Sequence, residues 1–219
     1  MKRWLSLLLV ALLVCSLVSC GNRTDDGKTP GEGDPTTNND SNGNQDNDGN
    51  NGENTLSPTY HSAHELLATL WTAKSEEERF PIMGGDYDNV VENAPGAFDL
   101  AHPDASANID TLLSFPSDEI AKIDSAASII HSMNANIFTC GAYHVTNPED
   151  VTPLAERIKN HIMTKQFICG SPERLIILHL PGNYLTVLYG TSDTVMDFAD
   201  DAKALIKDTM SLVDQTLTS

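Results

Sequence analysis

The residues best equipped for chemistry in this 219-residue chain are a few histidines and two cysteines. His131, His144 and His179 fall on three different expected strands, and His61 and His64 sit at the start of an expected helix. Imidazole suits zinc, copper or nickel, so the three strand histidines are the candidate metal ligands. Their spacing does not make them converge, because the chain has no His-Glu-x-x-His and no Cys-x-x-Cys. The expectation is that they hydrogen-bond at sheet edges or face solvent, and that no cofactor is held. Cys140 and Cys169 have two readings. A disulfide would close a loop of about 30 residues and add about 3 to 4 kcal/mol. Two separate buried thiols are favoured, since free cysteine is among the most buried residue types. Cys140 and His144 share a strand face two pleats apart, about 13 Å, too far to share a proton.

Other catalytic arrangements are missing. There is no Gly-x-Ser-x-Gly elbow, and Cys169-Gly-Ser-Pro is not the local signature of a thiol protease. The pairs Asp86 with Asp88, Asp118 with Glu119 and Asp200 with Asp201 read as solvated surface in so acidic a chain. Gly84-Gly85 precedes acids that would repel phosphate, so it is no nucleotide loop. Thirteen basic residues against 31 acidic ones leave net −18. A general nucleic-acid binder is excluded, because backbone affinity comes from Lys and Arg that displace counterions. The expectation is a protein that is not an enzyme.

The elements that position these residues lie in 59–219, which carries 23 acidic against 9 basic side chains and has the size of one domain. Ser62-Ala-His-Glu65 reads as a capping box opening a helix that runs to about Glu78, with Ala63, Leu66, Leu67, Leu70, Trp71 and Lys74 at the spacing of one inward-facing stripe. From Phe80 to Pro116, proline and glycine interrupt every window, which predicts irregular chain with at most one brief helix. Ser125 to His131 and Ile137 to Val145 read as a hairpin across Asn134-Ala-Asn136. Asn147-Pro148 then caps a helix carrying Val151, Leu154, Ala155, Ile158 and Ile162. Arg174 to Leu180 and Tyr184 to Gly190 form a second hairpin across Pro181-Gly182-Asn183. Ser192 caps a last helix with Val195, Ala199, Ala202, Ile206 and Val213 on one face. A hairpin-helix unit thus occurs twice, a weak internal repeat. The fold class expected is α+β, an antiparallel sheet of about four strands with helices on one face. A parallel sheet is disfavoured because both strand-to-strand links are too short for crossovers.

The N-terminal 58 residues carry an address. Lys2 and Arg3 precede an apolar run, Trp4 to Val18, that is shorter than the roughly 20 residues of a membrane span, and residues 1–19 read as a signal peptide. Its end, Leu17-Val-Ser-Cys20-Gly21, resembles the bacterial lipobox. That resemblance implies cleavage before Cys20 and a diacylglyceryl group, with further palmitate-type acylation, on Cys20. Two or more acyl chains give stable anchoring, so the expected location is the outer face of the cell membrane. Residues 20–58 contain almost nothing apolar and read as a disordered acidic tether, rich in Asn, Asp and Gly, with a root-mean-square reach of about 35 Å.

A family likeness covers most of Thr59 to Asp208. Phe80-Pro-Ile-Met-Gly-Gly-Asp86, Asn93-Ala-Pro-Gly-Ala-Phe-Asp99, Ile123-Asp-Ser-Ala-Ala-Ser128, Met133-Asn-Ala-Asn-Ile-Phe-Thr139, Gly141-Ala-Tyr-His-Val145 and Cys169-Gly-Ser-Pro-Glu173 are similar to blocks in a group of Gram-positive gut bacterial lipoproteins of unknown activity. Some of its members are labelled bacteriocin transport accessory protein. The resemblance implies lipidation and an extracytoplasmic domain and transfers no catalytic residue. The resulting expectation is a non-enzymatic accessory domain that binds a protein or peptide partner. The alternative is a small-ligand or metal-binding domain built on the strand histidines.

Overall fold

Ser62 opens the first helix much as its side chain and that of Glu65 imply. Its Oγ accepts from the Glu65 amide at 3.1 Å, starting α1 (Ala63–Ala73), while the Glu65 carboxylate takes the amide of His61, one residue before the cap, at 2.8 Å. The apolar stripe of α1 is buried as expected. The helix stops at Ala73, before Glu78, because Glu78 turns back to accept from the Ser75 amide and hydroxyl. The computed structural model describes residues 59–133, 137–168 and 170–217. The leader, Cys20, the tether, the Asn134–Asn136 turn and Cys169 lie outside the described residues, which belong to one compact unit.

The stretch from Phe80 to Pro116 holds the one expected helix, α2 (Ala105–Leu113). It also holds three short strands the sequence did not announce: β1 (Ile82–Gly84), β2 (Val91–Glu92) and β3 (Gly96–Ala97). Strands of two or three residues are too short to show an alternation. They form through a backbone contact that only glycine allows. A Cβ on Gly96 would lie 2.2 Å from the Gly85 nitrogen, and one on Gly84 would lie 2.2 Å from the Gly96 nitrogen.

The long strands follow the expected hairpins closely: β4 (Ile123–His131) with β5 (Phe138–Val145), and β6 (Arg174–Leu180) with β7 (Tyr184–Gly190). At the second turn Gly182 and Asn183 both take positive φ, +79° and +63°, as glycine and asparagine permit. α3 (Val151–Thr164) follows the first hairpin and α4 (Ser192–Leu205) the second. The last helix begins at Ser192, with Thr191 and not Ser192 at the cap position; it is shorter than expected, and Val213 belongs instead to a further strand, β8 (Met210–Thr216). Asp208, at φ +65°, breaks the helical path just before it.

All seven strand pairings are antiparallel, in the order β2-β1-β4-β5-β7-β6-β8, with β3 also on β4. The α+β class is therefore right, and the count of about four strands is corrected to eight. Helices on one face is also corrected. α1 and α4 share a core with Ile129, Cys140, Ile176 and Leu188, whereas α2 and α3 share a separate core with Tyr143, Leu175, Val187 and Tyr189. The physical reason is that β7 is buried at every residue. A strand apolar on both sides needs cover on both sides. The hairpin-helix unit does recur along the chain, but its two helices pack on opposite faces, so the two copies are not structurally equivalent.

Candidate functional site

The three strand histidines are not brought together. His131 ends β4 and stacks on Phe80, with centroids 4.8 Å apart, and its Nδ1 accepts from the Met133 amide at 3.0 Å. His144 lies opposite Ser125, six residues back along β4 and thus about 20 Å away. Its Nδ1 donates to the Asp124 carboxylate at 2.6 Å. His179, paired with Leu185 and Met210, projects from the sheet face opposite to that of His144, by the alternation of β6 and β7. Burial lowers the pKa of both His131 and His179. Among the described residues no group of three or more His, Cys, Asp or Glu side chains is placed to hold a metal ion.

Cys140 is fully buried against α1 and α4, and burial pushes its thiol pKa far up, so it is no nucleophile. The pairing proposed for it involves Cys169, which lies outside the described residues. Asp86 is the most enclosed carboxylate and serves as a loop lock. Its Oδ1 accepts from the Asp88 and Asn89 amides at 3.0 and 2.8 Å, and its Oδ2 from the Asp99 amide at 2.8 Å. Burial alone would raise its pKa, but these backbone donors outweigh it and hold the carboxyl below its ordinary value.

The feature that most resembles a binding site lies at one end of the sheet, where β4, β5 and β7 meet the chain leaving α3. A cavity of about 350 Å³ is lined there by Ile130, Met133, Ile137, Phe167, Ile168 and Tyr189. A second, of about 510 Å³, lies across the same segment and is bounded by Met163, Pro172 and the end of β8. Residues 165–168 line both cavities, forming a rib between two halves of one groove. The rib is fastened at its start, where Lys165 Nζ donates to the Asp110 carboxylate at 2.9 Å beside His161 Nε2 on the same oxygen. Burial would raise the Asp110 pKa, but these donors hold it below its ordinary value. At the floor, Ser114 takes a left-handed conformation, φ +53°, with its hydroxyl 3.1 Å from the Tyr189 hydroxyl.

Apolar side chains are left in water around this groove. Ile168 is 95% exposed and Met133 51%. His131, a metal candidate from the sequence, also lines the smaller cavity, whereas Met133, Phe167 and Ile168 were not singled out as site residues. The signal available was faint: isolated large apolar residues beside turn-forming Asn and Gly, in segments with no periodicity. The Ser114–Tyr189 pair contains no base, since burial raises the Tyr189 pKa against its hydrogen bonds with Ser114 and Thr139. No family model, curated protein or solved structure matches this chain.

Proposed function

We propose that this chain is a lipid-anchored, extracytoplasmic protein whose domain binds a protein or peptide partner at the outer membrane face and catalyses no reaction, as an accessory to peptide export. The leader, Cys20 in its lipobox-like setting, the acidic tether and the likeness to lipoproteins support the address. The observation that carries the binding role is the pair of cavities on either side of residues 165–168, one mainly apolar and one mixed in lining, with Ile168 and Met133 projecting into water. Exposed apolar residues clustered about a concavity mark interaction sites more often than chance surface.

The position of the groove fits this role. The chain enters the domain beside the Pro181–Asn183 turn, where the Tyr184 hydroxyl donates to the Tyr60 carbonyl at 3.0 Å. The groove lies at the other end of the strands, next to Phe138 and Gly170. Thr59, the first described residue, and the groove thus lie at opposite ends of the strands. The excess of acidic side chains steers cationic partners toward the domain.

The test uses the full lipidated chain in the membranes of its own host. Met133→Asp with Ile168→Asp, both at exposed positions, leaves the melting temperature unchanged and lowers recovery of a co-purified partner about tenfold, the loss expected of a central contact of more than about 1 kcal/mol. Equal recovery with the variant and the parent chain would contradict the reading.

A further inference from the structure

We propose that the outer edge of β8 is a strand-addition site for an extended, net-basic polypeptide segment. This rests on the partner-binding reading and names the chemistry of the partner. The two margins of the sheet are unequal as templates. One ends in β2, with two residues, and the other in β8, with seven. Among the described residues β8 pairs only with β6. A strand of that length presents a row of outward N–H and C=O groups that an extended main chain satisfies.

Edges that must stay unpaired are usually guarded by lysine, proline or charges pointing inward. β8, Met-Ser-Leu-Val-Asp-Gln-Thr, has no lysine or proline, and its one charge, Asp214, is held by Arg174 on β6 with nitrogen-to-oxygen distances of 2.8 and 2.9 Å. Its only guard is a register shift beside Ile177 and Leu178. The groove adds a second element. Its larger cavity is lined by Gln215, Thr216 and Leu217 at the end of β8, together with Met163 and Ile168. A strand laid along β8 runs its end past this cavity, whose lining mixes polar Gln166, Gln215 and Thr216 with apolar Met163 and Ile168.

Charge decides the occupant. The domain carries 23 acidic against 9 basic side chains; beside β8 itself Asp214 is paired with Arg174 and Lys207 adjoins Asp208, so the preference for a basic partner comes from the charge of the domain as a whole, with Glu173 exposed near the end of the strand. Edge-to-edge pairing of two copies therefore brings like charges together, whereas a basic segment meets opposite charge.

The test titrates the full chain with a fluorescent heptapeptide of alternating lysine and valine, beside a glutamate and valine counterpart and versions N-methylated at alternate residues in both registers. The lysine peptide is expected to bind at least about tenfold more tightly than the glutamate peptide. N-methylation in one register is expected to weaken it about tenfold by removing the pairing donors. Amide hydrogen exchange is expected to slow within 210–217, and the free chain to sediment as a monomer at low salt. Indifference to N-methylation in both registers, protection confined to other segments, or a dimer that protects 210–217 would each overturn the proposal. If the strand-addition results fail while the Met133 and Ile168 variant still loses its partner, the edge is wrong and the groove stands. If partner recovery is also unchanged, the binding reading falls with it.

Discussion

The two margins of the sheet solve the problem of ending a sheet in opposite ways. Around β1 to β3 the strands are minimal and the backbone is locked: Gly84 and Gly85 press on Gly96, the Ser128 hydroxyl donates to the Gly85 carbonyl at 3.0 Å, and Asp86 gathers three amides. Tyr87, Val90 and Val91 are exposed there, but the edge strand beside them is two residues long and offers no template. At β6 to β8 the ladder is long, the side chains do ordinary packing, and the outer edge is left open beside a cavity. One margin spends its specific residues on holding a shape, and the other leaves surface available to a partner.

The sharpest way to break this contrast is to place a methyl in the locked margin. Gly96→Ala brings a Cβ against backbone that cannot move aside, and should cost more than about 3 kcal/mol in urea unfolding of the full chain. Gly182→Ala, in the turn near the open margin, meets nothing closer than 3.5 Å and suffers only its positive φ, for a loss of about 1 kcal/mol. Similar losses at the two glycines would erase the distinction.

Asp86→Ala leaves buried amides without an acceptor and should cost about 2 to 3 kcal/mol. Because the Asp86 pKa is depressed on folding, its stabilisation is complete above the unfolded carboxyl value of about 4 and is lost as pH falls through the lower folded value. The gap in stability between the parent chain and Asp86→Ala, measured by denaturant midpoint, should therefore narrow from pH 6 to pH 2. A gap that stays constant over that range would mean the carboxylate charge is not what closes the loop. At the open margin, Arg174→Ala removes a half-exposed ion pair on β6 and β8 and should lower stability by less than about 1 kcal/mol.

The smallest effect is expected between the margins. Tyr143 is fully buried, and its hydroxyl, with no hydrogen-bond partner, lies over Gly141. Tyr143→Phe removes a polar group that stabilises nothing and should be neutral or stabilising by up to about 1 kcal/mol in the same unfolding assay. A loss of more than about 1 kcal/mol would show that the hydroxyl is used.

What the sequence disclosed divides along the same line. The four central strands and α1, α3 and α4 were legible because their apolar spacing is regular and their caps and turns are explicit: Ser62 with Glu65, Asn147 before Pro148, and Gly182 with Asn183. The locked margin was hidden because its order comes from backbone contact at Gly84, Gly85 and Gly96, which in one dimension looks only like interruption. β8 was hidden because Val213 continues a helical spacing from Ile206 as readily as it occupies a strand. The histidines drew attention by residue type, and the fold sets His144 and His179 on opposite faces. The groove was invisible because its lining comes from the ends of several elements and from 165–168, a segment with no periodicity to read.

The most direct test of the central claim, that partners dock beside residues 165–168 and not at the locked margin, is photo-crosslinking of the full chain produced in its own host. A photoreactive side chain is placed at Ile168 in one strain and at Tyr87 in another, both positions being exposed. Discrete light-dependent adducts to another polypeptide from position 168, with none from position 87, is the predicted result. Adducts from position 87 alone, or none from either while the protein remains folded, would contradict it.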